Sequence, residues 1–424
     1  MQKFSIHLIA PLFLLLFCTS SIAADFDRAR PERLGMSSDR LERLDAVLKS
    51  YVDNEQLAGQ VVIVLRKGKI AYSSANGMQD IAAGIPMKED TMFRIASQTK
   101  AIVSAGIMIL HERGALDIAH PLERYMPEWK NMKVAVSNVG RGGYTLESSK
   151  RSITLRNLLT HTGGMSYGSG PAADEWEEAG FKGWYFADRN EPVIDTIARM
   201  ASLPLDEHPG ERWIYGYNTD ILGAVIEKAS GMDLNSFLKK EIFEPLGMDD
   251  THFYLPEEKR GRLATVYRPK AGGGIEARPE TNGMQSQGMY DNGPRVSFSG
   301  GAGLLSTAND YAKFLQMTLN NGEFNGARIL SRKTIELMTT DHLGDIPFRD
   351  GTGFGLGFSV VTDLGARGSL GSIGEYGWGG AYHSTYWVDP QEELVVVYLT
   401  QIIPATDLDD YAKLRSGIYQ AIVD

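Results

Sequence analysis

One segment constrains the fold of this chain more than any other: an uncharged apolar run that directly follows a Ser-x-x-Lys pattern. The pattern consists of Ser97 and Lys100, and the apolar run extends from Ala101 to Leu110. Apolar residues all around a helix, rather than along one stripe, indicate burial on every side. The sequence therefore predicts a central buried helix, with Ser97 in its first turn and Gly114 as its C-terminal cap.

The Ser-x-x-Lys spacing has a chemical interpretation and a structural one. Residues three apart share a helix face, so the Lys100 ammonium and the positive helix N-terminus would both stabilise an alkoxide at Ser97. This is how a serine nucleophile is activated. The alternative is that Ser97 only caps the helix, because serine is a common N-cap residue.

Composition limits the classes of protein to consider. The chain has 424 residues, of which 43% are hydrophobic and 23% charged, as in ordinary globular enzymes. Its formal net charge is −10 and no basic cluster stands out, so we expect no nucleic-acid partner. The sequence carries no signal for an oligomeric state.

The N-terminus is typical of a secretory signal peptide. Lys3 precedes a short apolar run from Leu8 to Cys18, and Ser21-Ile22-Ala23 supplies the small residues that a signal peptidase requires. The run is shorter than the roughly 20 residues of a membrane span. We expect a signal peptide at residues 1–23 and secretion of residues 24–424, into the periplasm of a host with two membranes, with no stable membrane insertion. Cys18, the one cysteine, would leave with the signal, which excludes disulfides and a cysteine nucleophile.

Strand patterns cluster at both ends of the mature chain. The predicted strands are Gln60 to Arg66, Lys69 to Ser74, Gly355 to Thr362, Ala381 to Val388 and Leu394 to Thr400. A helix from Tyr411 to Ile422 is predicted after the last strand. The fold class is therefore α+β. An antiparallel sheet flanked by helices is expected from about residues 24–95 and 296–424, and a mainly helical subdomain is inserted at about residues 96–295. A cleft should lie between the two layers.

Two later segments carry further candidate residues. Tyr215 precedes a helix, and a tyrosine near a lysine ammonium has a stabilised phenolate that can accept a proton. Trp378-Gly379-Gly380-Ala381 stands at the head of a predicted strand, where glycines allow close approach of substrate and backbone N–H groups can serve as oxyanion donors. The structural alternatives are core packing for Tyr215 and a simple bend for the glycines.

Taken together, Ser-x-x-Lys, His161-Thr162-Gly163-Gly164, Tyr215 and the Gly-Gly strand resemble the serine β-lactamase and penicillin-binding-protein superfamily. The resemblance covers nearly all of the mature chain and is strongest to the class C-related branch. Within that branch the chain most resembles the family VIII carboxylesterases, which carry Trp-x-Gly where β-lactamases carry Lys-Thr-Gly. It implies a β-lactamase/transpeptidase-like fold.

The resemblance also implies catalytic roles. Ser97 would be the acylated nucleophile, Lys100 its activator and Tyr215 the shared acid and base. The backbone N–H groups of Ser97 and Ala381 would form the oxyanion hole. Whether Lys100 or Tyr215 accepts the first proton is left open, because such a pair titrates as one unit.

A second set is expected to contact the substrate: Trp378, Gly379, Gly380, Tyr217 and His383. Tyr217 stands where β-lactamases have the asparagine of Tyr-x-Asn, so the amide contact is missing unless Asn218 supplies it. His383 lies two residues past Ala381 on a predicted strand, where it either touches substrate or caps the cleft. Asp220 is a possible partner behind the site, with a structural role as the alternative.

Two other features have competing interpretations. Gly164-x-Ser166-x-Gly168 fits the nucleophile elbow of α/β-hydrolases, but a helix precedes it and a loop follows, so we reject Ser166. An aromatic-rich loop either walls an acyl pocket or packs as a satellite of the core, and its residues are Trp176, Phe181, Trp184, Tyr185 and Phe186.

These observations favour a secreted serine hydrolase that cleaves carboxylic esters of short to moderate acyl chains through an acyl-enzyme. No metal-ligand spacing or phosphate loop occurs, so neither metal nor cofactor is expected. Trp378 supplies no charge for a substrate carboxylate, which favours neutral esters, although Lys100 and Arg212 remain as cations. The alternatives are a β-lactamase or D-amino-acid peptidase and, from another class, an inactive peptidoglycan-binding or sensor module.

Overall fold

The computed structural model describes residues 25–138, 140, 142–281 and 283–424. The expected signal peptide at residues 1–23, including Cys18, lies outside the described residues.

The strands in chain order are β1 (Gly59–Arg66), β2 (Lys69–Asp80), β3 (Ile85–Pro86), β4 (Phe93–Arg94), β5 (Lys133–Ser137), β6 (Tyr144–Ser148), β7 (Tyr267–Pro269), β8 (Ile275–Ala277), β9 (Leu305–Ser306), β10 (Glu323–Phe324), β11 (Ala327–Arg328), β12 (Thr352–Phe354), β13 (Ser359–Val361), β14 (Tyr376–Gly380), β15 (Ser384–Asp389) and β16 (Leu394–Leu399). Eight of them form one antiparallel sheet in the order β12-β13-β14-β15-β16-β1-β2-β3. The sheet therefore combines strands from both ends of the chain, which confirms the predicted fold class.

The α-helices are α1 (Ser38–Asp53), α2 (Thr99–Glu112), α3 (Leu155–Leu159), α4 (Ala173–Glu178), α5 (Val193–Met200), α6 (Asn218–Ser230), α7 (Leu234–Leu238), α8 (Glu244–Leu246), α9 (Met289–Asn292), α10 (Ala308–Leu319), α11 (Arg332–Met338), α12 (Leu364–Arg367) and α13 (Asp410–Tyr419). Helices α3 to α9 lie between the two groups of sheet strands along the chain. No helix in these described ranges is long and apolar enough to cross a membrane.

The centre of the sheet is the pairing of β1 with β16, in which Val61 lies opposite Leu399. Alternation along β1 sends side chains to two separate cores, because successive side chains of a strand point to opposite faces. Val62 and Val64 pack with α1 and α13 on one face. Ile63 and Leu65 pack on the other face, where α2 and α10 lie. A sheet covered on both faces can hold a rigid site at the end of one of its strands.

Helix α2 is the predicted central helix. Every residue from Thr99 to Leu110 is buried, and α6 packs against it. The prediction placed Ser97 in the first turn of this helix. The structure places Ser97 in a 3₁₀ turn, Ala96–Gln98, that leads directly into α2.

Three of the predicted strands differ from the structure by more than one residue. β2 continues past Ser74 to Asp80, and of the strand predicted from Gly355 to Thr362 only Ser359–Val361 is formed. The sequence predicted a strand from Ala381 to Val388, but β14 ends at Gly380 and β15 begins at Ser384. The intervening residues form a hairpin turn, in which His383 has a φ of 59°. That left-handed conformation is incompatible with a continuous strand. Ala381 and His383 therefore do not alternate along one strand.

The two-sided sheet gives a direct stability test on α1. Leu48 is fully buried against the sheet, whereas its neighbour Val47 is 37% exposed. Leu48→Ala leaves a cavity and should lower the free energy of unfolding by about 2–5 kcal/mol. Val47→Ala, the matched control, should change it by no more than about 0.5 kcal/mol. Denaturant unfolding followed by circular dichroism measures both, and equal effects would contradict the packing described here.

Candidate active site

A cleft of about 930 Å³ opens beside the end of β14. It brings together the serine of the Ser-x-x-Lys pattern, the predicted tyrosine and the Trp-Gly-Gly strand, and its lining includes Ser97, Tyr215, Trp378, Gly379, Gly380 and Ala381. These residues are distant in sequence, and the fold places them in one cavity.

Ser97 is held by an unusual local backbone. Ala96, just before it, is fully buried and has a φ of 44°, a left-handed conformation that non-glycine residues rarely adopt. Such a residue costs on the order of 1–3 kcal/mol and persists only when surrounding structure enforces it. The turn leaves Ser97 partly exposed to the cleft while the residues around it are buried.

Lys100 lies beneath Ser97 with its side chain buried. Its Nζ lies 3.5 Å from Ser97 Oγ, 2.9 Å from the Tyr167 hydroxyl and 2.7 Å from the Gly301 carbonyl oxygen. Three acceptors match the three donors of an ammonium group. Nζ also lies 4.6 Å from the centre of the Tyr215 ring. The geometry couples the serine hydroxyl to a lysine and two tyrosines.

Tyr167 is a site residue that the sequence analysis missed. Its ring packs edge-on against Tyr215, with 5.8 Å between ring centres. Burial raises the pKa of Tyr167 well above its ordinary value, and the neighbouring Tyr215 and Asp220 raise it further. Tyr167 therefore remains protonated. The sequence places Tyr167 next to Ser166 in a glycine-rich turn, which has no helical or strand periodicity that would indicate its contact with Lys100.

Tyr215 is connected to Trp378 directly. The indole Nε1–H of Trp378 donates to the Tyr215 hydroxyl at 3.1 Å. Behind Tyr215 lies His161, with 4.7 Å between the two ring centres. Burial lowers the pKa of His161 well below its ordinary value, and the charge of Lys100 lowers it further, so this histidine is neutral. His161 thus supports the tyrosine ring from inside the protein.

The end of β14 approaches the serine closely. A Cβ on Gly380 would lie 2.5 Å from the Ile95 carbonyl oxygen, so only glycine fits this contact. Ser97 and Ala381 consequently line the same cavity, as an oxyanion hole built from their backbone N–H groups requires.

Tyr217 does not contact the cleft, contrary to the prediction that it binds substrate. Its side chain is fully buried, and its hydroxyl donates to the Gly183 carbonyl oxygen at 2.7 Å. Its ring stacks on Trp176 and Phe186 and meets the edge of Tyr167. Tyr217 is therefore a packing residue beneath Tyr167.

The aromatic loop also packs in the core. Four of its residues are buried and Trp184 is partly buried, and none of the five lines the cleft: Trp176, Phe181, Trp184, Tyr185 and Phe186. The loop supports the site from behind and does not form the wall of this cleft.

His383 also points away from the substrate cleft. Its Nε2 lies 2.8 Å from Asp410 Oδ1, and its ring stacks on Tyr411 with 4.2 Å between ring centres. The prediction that His383 binds substrate assumed an alternating strand. In the hairpin turn the His383 side chain instead lies against the N-terminus of α13.

Asp220 lies behind Lys100 and connects to it through Gly301. Its Oδ1 accepts hydrogen bonds from Ser299 Oγ at 2.7 Å and from the Gly301 N–H at 2.9 Å. The Gly301 carbonyl in turn accepts from Lys100. Burial raises the pKa of Asp220, while the nearby Lys100 charge opposes this rise. Asp220 thus fixes the loop that holds the ammonium.

Asn218 and Ser166 have structural partners. Asn218 is fully buried and its Nδ2 lies 3.2 Å from His161 Nδ1, so it does not bring an amide to the cleft. Ser166 Oγ accepts from the Ser169 N–H at 2.9 Å. Within the described part of the chain, no group of His, Cys, Asp and Glu residues has an arrangement that could hold a metal ion.

Comparisons with known proteins agree with this architecture. The solved structure of EstCE1, described as a hydrolase with promiscuous acyltransferase activity, superimposes with a TM-score of 0.75 and 26% identity, covering 90% of this chain and 98% of that chain. Esterase EstB of Burkholderia gladioli is 32% identical over 376 residues, which are 84% of this chain and 89% of that protein. Protein Rv1367c of Mycobacterium tuberculosis is 34% identical over 393 residues, covering 89% and 94%.

The family model for beta-lactamases matches residues 44–416. That match spans the central sheet, helix α2 and every residue of the cleft described above. The chain therefore belongs to the beta-lactamase family.

Proposed function

We propose that this protein is a serine hydrolase that cleaves carboxylic esters of short to moderate acyl chains through an acyl-enzyme on Ser97. The observation that carries the proposal is the position of the Lys100 ammonium, which lies 3.5 Å from Ser97 Oγ and 4.6 Å from the centre of the Tyr215 ring. Ser97 and Tyr215 line a cleft whose wall includes the Trp378 indole. Its similarity to EstB and EstCE1 supports ester cleavage in particular.

In the acylation step, Ser97 Oγ attacks the ester carbonyl carbon. The reactive form of the Lys100 and Tyr215 pair is one in which either the amine or the phenol oxygen is deprotonated. This vacant position accepts the Ser97 proton, and the carbonyl electrons move to the oxygen. The N–H groups of Ser97 and Ala381 stabilise that oxyanion. Collapse of the intermediate breaks the bond to the alcohol oxygen, which leaves with a proton from Tyr215.

Deacylation repeats the steps with water as the nucleophile. The pair of Lys100 and Tyr215 takes a proton from water as it attacks the acyl carbon, and Ser97 Oγ leaves and regains its proton. The net reaction consumes one water and releases an acid and an alcohol. Tyr167 and the Gly301 carbonyl position Lys100 throughout, because both accept from its ammonium.

Trp378 separates this proposal from the alternatives within the same family. β-Lactams and cell-wall peptides bring a carboxylate close to the scissile bond, and burying it unpaired is costly. At that place this protein presents an indole whose N–H is already engaged by Tyr215. The complete set of Ser97, Lys100 and Tyr215 argues against an inactive binding module. We also propose export, on the evidence of the N-terminal sequence pattern.

The proposal requires Ser97 and excludes Ser166 as the nucleophile. Ser97→Ala should abolish ester turnover and labelling by an organophosphonate, because no other group replaces the attacking oxygen. Ser166→Ala, the matched control, should label and turn over substrate. Mass spectrometry of the labelled protein measures both. Labelling that survives Ser97→Ala but not Ser166→Ala would refute the assignment.

The two tyrosines beside Lys100 should behave differently. Tyr215→Phe removes the shared acid and base and should lower kcat by about 10²–10⁴-fold. Tyr167→Phe removes only an acceptor for the ammonium, so we expect a loss of about tenfold, with a changed pH dependence of kcat/KM. Steady-state kinetics across pH 5–10 tests this. A larger loss in Tyr167→Phe would transfer the acid and base role to Tyr167.

The proposed substrate class predicts a clear order of activity. An aryl butyrate should be hydrolysed with the highest kcat/KM, because a phenolate is a good leaving group and the aryl ring fits beside the indole. A chromogenic cephalosporin should react weakly, since its strained amide is activated. A D-Ala-D-Ala peptide should react least. A preference for either of the latter two in a kcat/KM comparison would favour the β-lactamase or peptidase alternative.

A further inference from the structure

A cation that the sequence analysis did not consider lies in the cleft. Arg349 follows α11 on the loop before β12 and lines the same cavity as Ser97 and Tyr215. Its guanidinium carbon lies 5.0 Å from the centre of the Trp378 ring and 5.0 Å from that of Phe348. The Trp378 side chain is uncharged, but the positively charged guanidinium of Arg349 lies over its ring.

The charge of Arg349 is not neutralised by the protein. Within the described ranges, no carboxylate lies within ion-pair distance of its guanidinium, and its neighbour Asp350 lines the cavity without pairing to it. The other two cleft arginines are different, because Arg367 and Arg415 both bind the Glu375 carboxylate, at 2.9 and 2.7 Å.

The side chains that line the cavity have a positive net charge, although the whole chain has a negative one. The charged lining of the cavity consists of three arginines and two carboxylates, whereas the whole chain has a formal net charge of −10. Partial burial lowers the pKa of Arg349 below its ordinary value. A guanidinium that has lost part of its hydration gains more from binding an anion than a fully solvated one does.

The position of Arg349 indicates which part of the substrate it meets. In the proposed mechanism Tyr215 gives a proton to the departing alcohol, so the alcohol part of the ester must lie beside Tyr215. The Trp378 indole donates to that same hydroxyl at 3.1 Å, and Arg349 lies on the face of this indole. The guanidinium is therefore on the leaving-group side, against the Trp378 ring.

We infer that Arg349 binds a carboxylate carried by the alcohol part of the substrate, so that the preferred substrates are acyl esters of hydroxy acids. This inference rests on the proposed esterase function. It replaces the expectation of neutral esters, because Arg349 supplies beside Trp378 the positive charge that the indole lacks, so that cell-wall peptides are disfavoured by their amide bond and not by their carboxylate. Hydrolysis of such an ester consumes water and releases a carboxylic acid and a hydroxy acid. The planar guanidinium suits a carboxylate because it offers two parallel N–H donors.

Two isosteric esters test the inference. 4-(Butyryloxy)benzoate carries the anion on its phenol part, and 4-(butyryloxy)benzamide is its neutral counterpart of the same shape. We expect wild type to prefer the benzoate in kcat/KM. Arg349→Gln should lower the ratio of benzoate to benzamide activity by about 10- to 100-fold, mainly through KM, as expected for loss of a charge-assisted hydrogen bond.

A matched variant controls for the change in total charge. Arg212→Gln removes the same charge from the neighbouring cavity, where Arg212 already has Glu207 within 3.8 Å. It should leave the benzoate to benzamide ratio unchanged. Arg349→Lys should retain part of the preference, because the charge remains while the paired donors are lost.

Several outcomes would overturn the inference. Equal losses on both esters in Arg349→Gln would show that Arg349 acts through Tyr215 or the fold. A preference for monophenyl succinate over phenyl butyrate that depends on Arg349 would place the anion on the acyl part. Activity on the benzamide without any preference for the benzoate would also refute it.

A binding measurement separates this inference from the proposed function. Calorimetric titration of the Ser97→Ala protein with 4-(butyryloxy)benzoate requires no turnover. Binding that weakens at least tenfold when Arg349→Gln is added supports the anion site even if wild type hydrolyses neither ester, a result that would refute the esterase proposal alone. Binding that is unaffected by Arg349→Gln would refute the anion site.

Discussion

The buried ammonium of Lys100 is the interaction on which the site depends. Removing such a charge from water costs several kcal/mol unless each of its donors finds an acceptor. The acceptors come from three separate segments, at Ser97, Tyr167 and Gly301. A buried lysine thus requires the start of α2, the glycine-rich turn and the loop before β9 to meet at one point. Asp220 extends this requirement, because its carboxylate fixes the N–H of Gly301.

Features with a local or periodic signature could be predicted from the sequence. Nearly unbroken apolar runs predicted β1 and β16, since a strand with two covered faces needs apolar side chains on both. The unbroken apolar run predicted the burial of α2. Ser97 and Lys100 were proposed from a spacing that helix geometry explains, and Tyr215 from its place before α6 and the family resemblance. The fold brings all three together.

Residues placed by loops could not be found in that way. Tyr167 reaches Lys100, and Arg349 reaches the cleft, from segments without periodicity, so no spacing indicated their neighbours. Tyr217 was assigned to the cleft by its position in a motif, yet the stack of Trp176 and Phe186 holds it in the core. His383 was misplaced because the predicted strand begins only at Ser384. His383 itself has a left-handed conformation in the preceding turn, and its side chain meets Asp410.

The pairing of β1 with β16 has a consequence for how the molecule is made. Val61 and Leu399 are adjacent in the middle of the sheet but lie at opposite ends of the chain. During synthesis β1 is made long before β16, its neighbour in the middle of the sheet. Pairing between segments so distant in sequence makes folding slow. Loss of the last strand would remove the middle of the sheet and not its edge. The centre of the sheet is thus a pairing of two strands that are distant in sequence, and it can form only after β16 has been synthesised.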